Sequence, residues 1–179
     1  MKKKVCKRCE KEKQIWARGL CKSCDIVENP SKYMLERKKA EKKKKAESIT
    51  SLKKKLDAIF SLYIRLRDAD ENGTVQCFTS GDLMHYKKAH AGHYVSRRHL
   101  STRWDETNVQ VQSVKENIFN QGNAPMFAIK LDEKYGQGTA KSLVEKSLIS
   151  FKESKDWYVS NIDFYKKEVE ILKSKLNEE

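Results

Sequence analysis

The sequence lacks several features that define whole classes of protein. It contains no run of about 18 apolar residues, so no transmembrane helix is expected. No apolar segment follows the basic N-terminus, so no secretory signal is expected either. With 7 Gly and 2 Pro in 179 residues, the chain is unlike collagen or a long flexible linker. We therefore expect a protein of the cytoplasm that does not act at a membrane.

The cysteines do not form a disulfide framework. Four of the five make two Cys-x-x-Cys pairs, Cys6/Cys9 and Cys21/Cys24, and Cys77 stands alone. Each pair lets two thiolates reach one ion, so the two pairs complete a tetrahedral site suited to Zn²⁺. The surrounding segment is too short for an apolar core, and bound metal would supply its stability. We predict one structural zinc; the alternative is four free thiols in a disordered tail.

The positive charge is confined to the first third of the chain. Residues 1–55 contain 20 Lys/Arg and 7 Asp/Glu, whereas residues 56–179 contain 18 of each. The densest run is Lys42, Lys43, Lys44 and Lys45. On a helix these side chains point in all directions, which is also typical of a solvated spacer. Beside a zinc knuckle, contact with a phosphate backbone is the better interpretation.

Patterning divides the chain into segments 1–27, 28–70, 71–136 and 137–179. One long helix is expected over residues 31–70, and later helices from Ala124 to Tyr135, from Thr139 and from about Asp156 to Leu176. Short strands are expected at Val75–Phe78, His90–Val95 and Asn108–Val114. The long helix has an apolar seam formed by Ile49, Leu52, Leu56, Ile59, Tyr63 and Leu66. The seam is expected to dock on the body, and pairing with a second copy is the alternative.

All four histidines, His85, His90, His93 and His99, lie within fifteen residues. Histidine is a common metal ligand and a common general base near neutral pH. The alternative is a group of exposed or hydrogen-bonded histidines that binds no ion. The surrounding strings are AGHYVSRR from Ala91, TRWDETNV from Thr102 and ENIFNQGN from Glu116.

In order and spacing, these strings resemble the HNH-type core of the bacteriophage NinG proteins, also called Rap recombination proteins. The resemblance covers roughly residues 5–175 and is strongest at 88–136. It implies an α+β, mostly helical chain with an N-terminal zinc knuckle, a long charged helix, a ββα-metal finger and C-terminal helices. The family is implicated in phage recombination as a nuclease that acts on Holliday junctions and D-loops.

The resemblance also implies roles for individual residues. His93 would be the general base, Asn108 would pack the loop and orient it, and Asn117 would bind a divalent ion. The remaining ligand in this family is usually an Asp, and His90 occupies the nearest matching position. A neutral His–Asn pair holds Mg²⁺ less firmly than a carboxylate does, so the expected ion is Mg²⁺ or Mn²⁺, with another imidazole-tolerant ion as an alternative. Residues expected to grip phosphates are Arg97, Arg98 and Arg103.

A second four-cysteine set found in many such proteins is missing. Its positions would be Cys77, Ser80, Ser113 and Glu116. Because one Cys, two Ser and one Glu do not make a stable zinc cage, we predict no second zinc. Apolar contacts are then expected to hold the finger together, made by Phe78, Val111, Val114, Phe119 and the later helices.

Two main hypotheses follow. The first is a metal-dependent HNH-type endodeoxyribonuclease that acts on branched DNA in the cytoplasm of a bacterial host. The alternative is a recombination accessory protein that binds such DNA but whose nuclease site has decayed. An RNA-binding zinc-knuckle protein is a third, weaker idea. Cutting a symmetric junction requires two sites, so a homodimer is possible.

Overall fold

The computed structural model describes residues 3–45 and 48–176, and for residues 38–45 it describes the backbone alone. The chain divides into two compact units, residues 1–48 and residues 49–179. Helices make up about half of the chain, and four small two-stranded sheets accompany them. The predicted α+β class is confirmed. Within the described residues, no helix is long and apolar enough to cross a membrane.

The first unit is built from two short antiparallel sheets and two helices. Its elements in order are β1 (Lys4–Val5), β2 (Glu12–Lys13), β3 (Ile15–Ala17), β4 (Leu20–Cys21), α1 (Lys22–Glu28) and α2 (Pro30–Lys45). Strand β1 pairs with β2, and β3 pairs with β4. Asp25 is fully buried in α1, where Arg18 and the Tyr33 hydroxyl donate hydrogen bonds to its carboxylate. The Tyr33 hydroxyl and then Arg18 hold the pKa of Asp25 below its usual value.

The second unit contains the remaining sheets and helices. Its elements in order are α3 (Ile49–Arg67), β5 (Thr74–Gln76), β6 (Leu83–His85), β7 (His90–His93), β8 (Val109–Gln112), α4 (Ala124–Tyr135), α5 (Thr139–Ser147) and α6 (Lys155–Lys173). A 3₁₀ turn at Tyr86–Lys88 precedes β7, and a π-helical turn at Lys115–Phe119 follows β8. The helical region predicted over 31–70 is two helices, and Ser48 lies in neither.

The apolar seam of α3 packs against α6. The buried side chains of α3 follow helical spacing and meet a similar row on α6: Leu52, Leu56, Phe60 and Ile64 against Tyr158, Ile162, Tyr165 and Val169. Of the predicted seam, Leu52, Leu56 and Leu66 are buried and Ile59 and Tyr63 are partly buried, whereas Ile49 is 40% exposed and Phe60 and Ile64 were not predicted. This confirms that the seam docks on the body of the same chain. A homodimer stays a prediction, but this face no longer supports it.

A smaller core joins α4 and α5. Pro125 occupies the first turn of α4, and Gly136, with a φ of 106°, ends it as predicted. The buried residues are Val95, Phe127, Leu131, Ala140 and Leu143, with Phe78 packed against them. Two of the predicted apolar contacts are wrong, because Val114 is 39% exposed and Phe119 is 75% exposed.

Candidate functional site

The four N-terminal cysteines meet in space. Their sulfur atoms all lie within 4.8 Å of one another, and the Sγ atoms of Cys9 and Cys21 are 3.9 Å apart. Ligands about 2.3 Å from a tetrahedral zinc would be roughly 3.8 Å apart, so this spacing fits a zinc ion. The Cys21 N–H donates to the Cys6 sulfur at 3.2 Å. Four cysteines so placed could hold a metal such as zinc.

The thiols of this cluster differ in acidity. Backbone hydrogen bonds, chiefly at Cys9, lower the pKa of Cys6 to about 6. Burial raises the pKa of Cys24 to about 12. Because neighbouring thiolates repel one another, the cluster requires a bound cation before all four sulfurs ionise together. Such a closed set of sulfur ligands is suited to a structural role.

The second unit brings the histidine region and the π-helical turn together. Strand β7 pairs antiparallel with β8, with His90 opposite Gln112 and His93 opposite Val109. The His90 Nδ1 lies 3.1 Å from the Asn117 Nδ2. A side chain at Gly92 would overlap Gln112, with a Cβ only 2.7 Å from its Cδ. The glycine therefore lets the two strands and their side chains pack closely at the site.

A cleft of about 450 Å³ lies beside these strands, and we call it the His93 cleft. Its lining comprises Asp57, Phe60, Ser61, Ala91, His93, Tyr94, Ser96, Arg97, Arg103, Asn117, Gln121 and Gly122. It thus joins the predicted base, the predicted ligand Asn117 and two of the three predicted phosphate-binding arginines. His90 touches Asn117 but does not line the cleft, and Arg98 is exposed outside the lining.

The geometry of His93 fixes its tautomer. The ring Nε2 lies 3.1 Å from the carbonyl oxygen of Arg103, which can only accept, so Nε2 carries the hydrogen. In the neutral ring, Nδ1 then has the free lone pair. Burial lowers the pKa of His93 below its ordinary value of 6.5, and the Arg103 carbonyl offsets this only in part. His93 is consequently a neutral imidazole at physiological pH.

Asn108 is fully buried and fastens the loop that follows β7. Its Oδ1 accepts from the Val95 N–H at 2.7 Å, and its Nδ2 donates to the carbonyls of Val95 and Thr102 at 3.0 and 2.9 Å. Arg103, whose carbonyl accepts from His93, comes directly after Thr102. Asn108 therefore fixes the loop segment on which the orientation of His93 depends.

Asp57 is a site residue that sequence reasoning missed. Its carboxylate accepts two bonds from Arg103, one from Arg97 at 2.9 Å and one from the Trp104 indole at 3.0 Å. Trp104 itself packs against the apolar core. Asp57 lies on α3, some 40 residues before its partners, and no sequence motif links them. The lysines at 42–45 cannot be compared, because their side chains lie outside the described residues.

A buried polar network lies near the positions of the missing cysteines. The Cys77 sulfur accepts from the Ser113 N–H at 3.3 Å. Glu116 is 4% exposed, and its carboxylate accepts from Thr79, Asn120 and Asn123 at 3.1, 2.7 and 2.7 Å. These hydrogen bonds, led by that from Asn123, hold the pKa of Glu116 below its usual value. Hydrogen bonds thus brace the turn that carries Asn117.

Comparison with known proteins identifies the family to which the chain belongs. The chain matches the family model described as "NinG: Bacteriophage Lambda NinG protein" over residues 1–176. Comparisons with curated proteins and with solved structures each gave no significant match. Since the family match spans nearly the whole chain, this protein belongs to the NinG family of phage recombination proteins.

Proposed function

We propose that this protein is a metal-dependent endonuclease that cuts branched DNA during phage recombination. The observation that carries the proposal is His93: a neutral ring, held by the Arg103 carbonyl, on a cleft that also contains Arg97 and Asn117. A base of this kind, beside a cation that can bind phosphate, is what phosphodiester hydrolysis requires. Family membership supports the recombination setting.

In the proposed reaction, His93 Nδ1 takes a proton from a water molecule. The water oxygen forms a bond to the scissile phosphorus while the bond from phosphorus to the 3′-oxygen breaks. The products carry a 5′-phosphate and, after the leaving oxygen takes a proton from solvent, a 3′-hydroxyl. Arg97, which is 60% exposed, would orient the phosphate in the cleft.

The family resemblance also calls for a divalent ion, and the residues present fit some ions better than others. His90 and the side-chain oxygen of Asn117 would be the protein ligands, and binding would replace the hydrogen bond of 3.1 Å that joins Asn117 Nδ2 to His90 Nδ1. Both are neutral, so the pair suits an imidazole-tolerant ion such as Mn²⁺ better than Mg²⁺. When bound, the ion would stabilise negative charge on the phosphate and the leaving oxygen.

The second candidate function is that of a recombination accessory protein that binds branched DNA without cutting it. The observation that favours it is the His90–Asn117 pair itself, because neither side chain is acidic and the two are hydrogen-bonded to each other. It predicts salt-sensitive junction binding with no cleavage in any divalent ion.

The deciding experiment is cleavage of a labelled four-way junction in a series of Mg²⁺ and Mn²⁺ concentrations. His93→Gln is the informative variant, because an amide still donates to the Arg103 carbonyl but cannot take a proton. Loss of general-base catalysis typically costs about 10²- to 10⁴-fold in rate. The acidic limb of wild-type kcat/KM should lie at lower pH than for an ordinary histidine, because burial lowers the pKa of His93.

The outcomes separate the candidates. Binding without cutting by the wild-type protein would favour the accessory role. Cutting that survives both EDTA and His93→Gln would exclude the proposed mechanism. His99→Gln serves as the matched control, because His99 also bonds a backbone carbonyl, that of Ser147, but does not line the His93 cleft.

A further inference from the structure

A second pocket adjoins the His93 cleft. It has a volume of about 530 Å³ and shares Gln121 with the cleft. We call it the amide pocket, and its lining comprises Phe119, Asn120, Gln121, Asn123, Ala124 and Pro125. One aromatic ring and three side-chain amides therefore stand next to the proposed reaction site.

The aromatic ring faces solvent although it lies on the turn that carries Asn117. Phe119 is 75% exposed and its neighbour Ile118 is 55% exposed. The wide winding of this turn explains the arrangement, since Asn120 N–H bonds the Lys115 carbonyl and Gly122 N–H bonds that of Glu116. Glu116 is turned inward, and Phe119 is turned outward. A large exposed ring beside a reaction site is typical of a contact surface.

Two of the three amides are held in fixed orientations by the buried Glu116. Asn120 and Asn123 each donate from Nδ2 to the buried Glu116 carboxylate at 2.7 Å. Their carbonyl oxygens are thereby left as acceptors. Gln121 and Asn123 also have φ values of 50° and 49°, a left-handed conformation that is strained for residues other than glycine. Such strain clusters at binding and catalytic sites.

An aromatic face with neighbouring amides matches the chemistry of a nucleobase. Unpaired bases stack on aromatic rings and exchange hydrogen bonds with amides through their edges. A base inside a duplex has both faces covered by its neighbours, so it must leave the stack to bind in this way. The charges agree with a nucleic acid, since Lys115 lies on the same turn and Arg97 lines the adjoining cleft.

We propose that the amide pocket binds one unpaired nucleobase, stacked on Phe119, at a branch point or flap of the DNA. This inference rests on the proposed function and explains how the proposed nuclease would recognise branched DNA. The pocket would select DNA by the presence of an unstacked base, and the adjoining cleft would receive the neighbouring phosphate.

The test uses the full-length chain and DNA that carries 2-aminopurine at an unpaired position of a flap. Wild-type protein is expected to quench the fluorescence of 2-aminopurine by stacking. Phe119→Ala should abolish the quenching and weaken flap binding by about five- to 150-fold. Binding to a blunt duplex of equal length should change less than about twofold. Phe119→Trp should restore both the quenching and the affinity.

The controls separate stacking from other effects. Phe164→Ala removes an aromatic ring that is 51% exposed on α6 and outside the amide pocket, and it should behave like wild type. Phe119→Leu keeps an apolar side chain but cannot stack, so its quenching should be lost. Phe119 is 75% exposed, so its variants should unfold at the wild-type urea concentration, whereas Phe164→Ala also loses an edge-to-face contact with Tyr165.

Two failures are distinguishable. If wild-type protein binds and cuts branched DNA but Phe119→Ala leaves quenching and flap affinity unchanged, the amide pocket is not a base site and the proposed function stands. If wild-type protein binds neither flap nor junction, the proposed function fails and the base site fails with it.

Discussion

Asn108→Ala should destabilise the second unit far more than an ordinary asparagine substitution. The change removes three hydrogen bonds of a fully buried side chain, one that it accepts and two that it donates. At about 0.5–1.5 kcal/mol for each of the three bonds, the loss is about 1.5–4.5 kcal/mol of unfolding free energy. Typical domains have only about 5–15 kcal/mol in total. The Val95 N–H and carbonyl lose their partner on a buried residue, whereas the Thr102 carbonyl keeps its bond from the Asp105 N–H at 3.2 Å.

Urea unfolding followed by tryptophan fluorescence measures the effect, because Trp104 and Trp157 both lie in the large core. Asn161→Ala is the matched control, because Asn161 on helix α6 donates a hydrogen bond to the Trp157 carbonyl at 2.8 Å. It should cost less than about 1 kcal/mol. Asn108→Asp should be no better than Asn108→Ala, since a carboxylate cannot donate to either carbonyl. Equal costs for Asn108→Ala and Asn161→Ala would refute the role of Asn108 as a loop fastener.

Two further predictions concern the buried network and the cysteines. Because the pKa of Glu116 is lowered from 4.5, its stabilisation is full above about pH 4.5 and is lost as the pH falls below that value. The unfolding free energy of Glu116→Gln should therefore fall less on acidification than that of wild type or the exposed control Glu133→Gln. Elemental analysis should find one zinc per chain, and two would contradict the reasoning about Cys77. Removing zinc with a chelator should make four thiols react with a thiol reagent, while Cys77, which is 1% exposed, stays protected. The urea concentration at which the α3–α6 core unfolds should not change.

Local sequence was sufficient for much of the secondary structure. Helix α4 begins and ends where Pro125 and Gly136 predict, because both residues act through their own backbone geometry. Strand β6 was missed, since its three residues are held by pairing with β5 and have no periodicity of their own. The apolar seam of α3 was predicted as a face, and its partner α6 lies about 100 residues further along the chain. Only the folded chain identifies such a partner.

Site residues that are close together in the sequence could be predicted, and those brought together from distant elements could not. The cysteine cluster follows from spacing, and the family resemblance brought His93, Asn108 and Asn117 together. Asp57 was not predictable, because it lies in a different element from the arginines it binds. Phe119 was predicted to lie in the core because its side chain is apolar, but the π-helical turn directs that side chain toward solvent. A one-residue change in helical winding is too small to be read from the sequence.

The three arginines that the sequence assigned to phosphate binding have different environments. Arg103 is 18% exposed at its side chain and makes a two-pronged contact with Asp57, with Nε 2.8 Å from Oδ1. The hydrogen bonds with Asp57 raise the pKa of the Arg103 guanidinium above its ordinary value. Arg97 is 60% exposed and makes one contact with the same carboxylate at 2.9 Å. A phosphate can replace a single exposed contact more easily than a buried pair, so we expect Arg97 to be the phosphate ligand and Arg103 to have a structural role.

Alanine variants test this division of roles. Arg103→Ala should cost about 2–4 kcal/mol of unfolding free energy, because it leaves the half-buried Asp57 without its main partner. Arg97→Ala should cost less than about 1 kcal/mol, yet reduce the slope of log affinity against log salt for junction DNA by about 1. Arg98→Ala, at an exposed position outside the cleft lining, shows how far any nearby positive charge contributes. If Arg97→Ala destabilises the chain and leaves the salt slope unchanged, the ion pair with Asp57 outcompetes phosphate. The cleft would then need another cation to bind DNA.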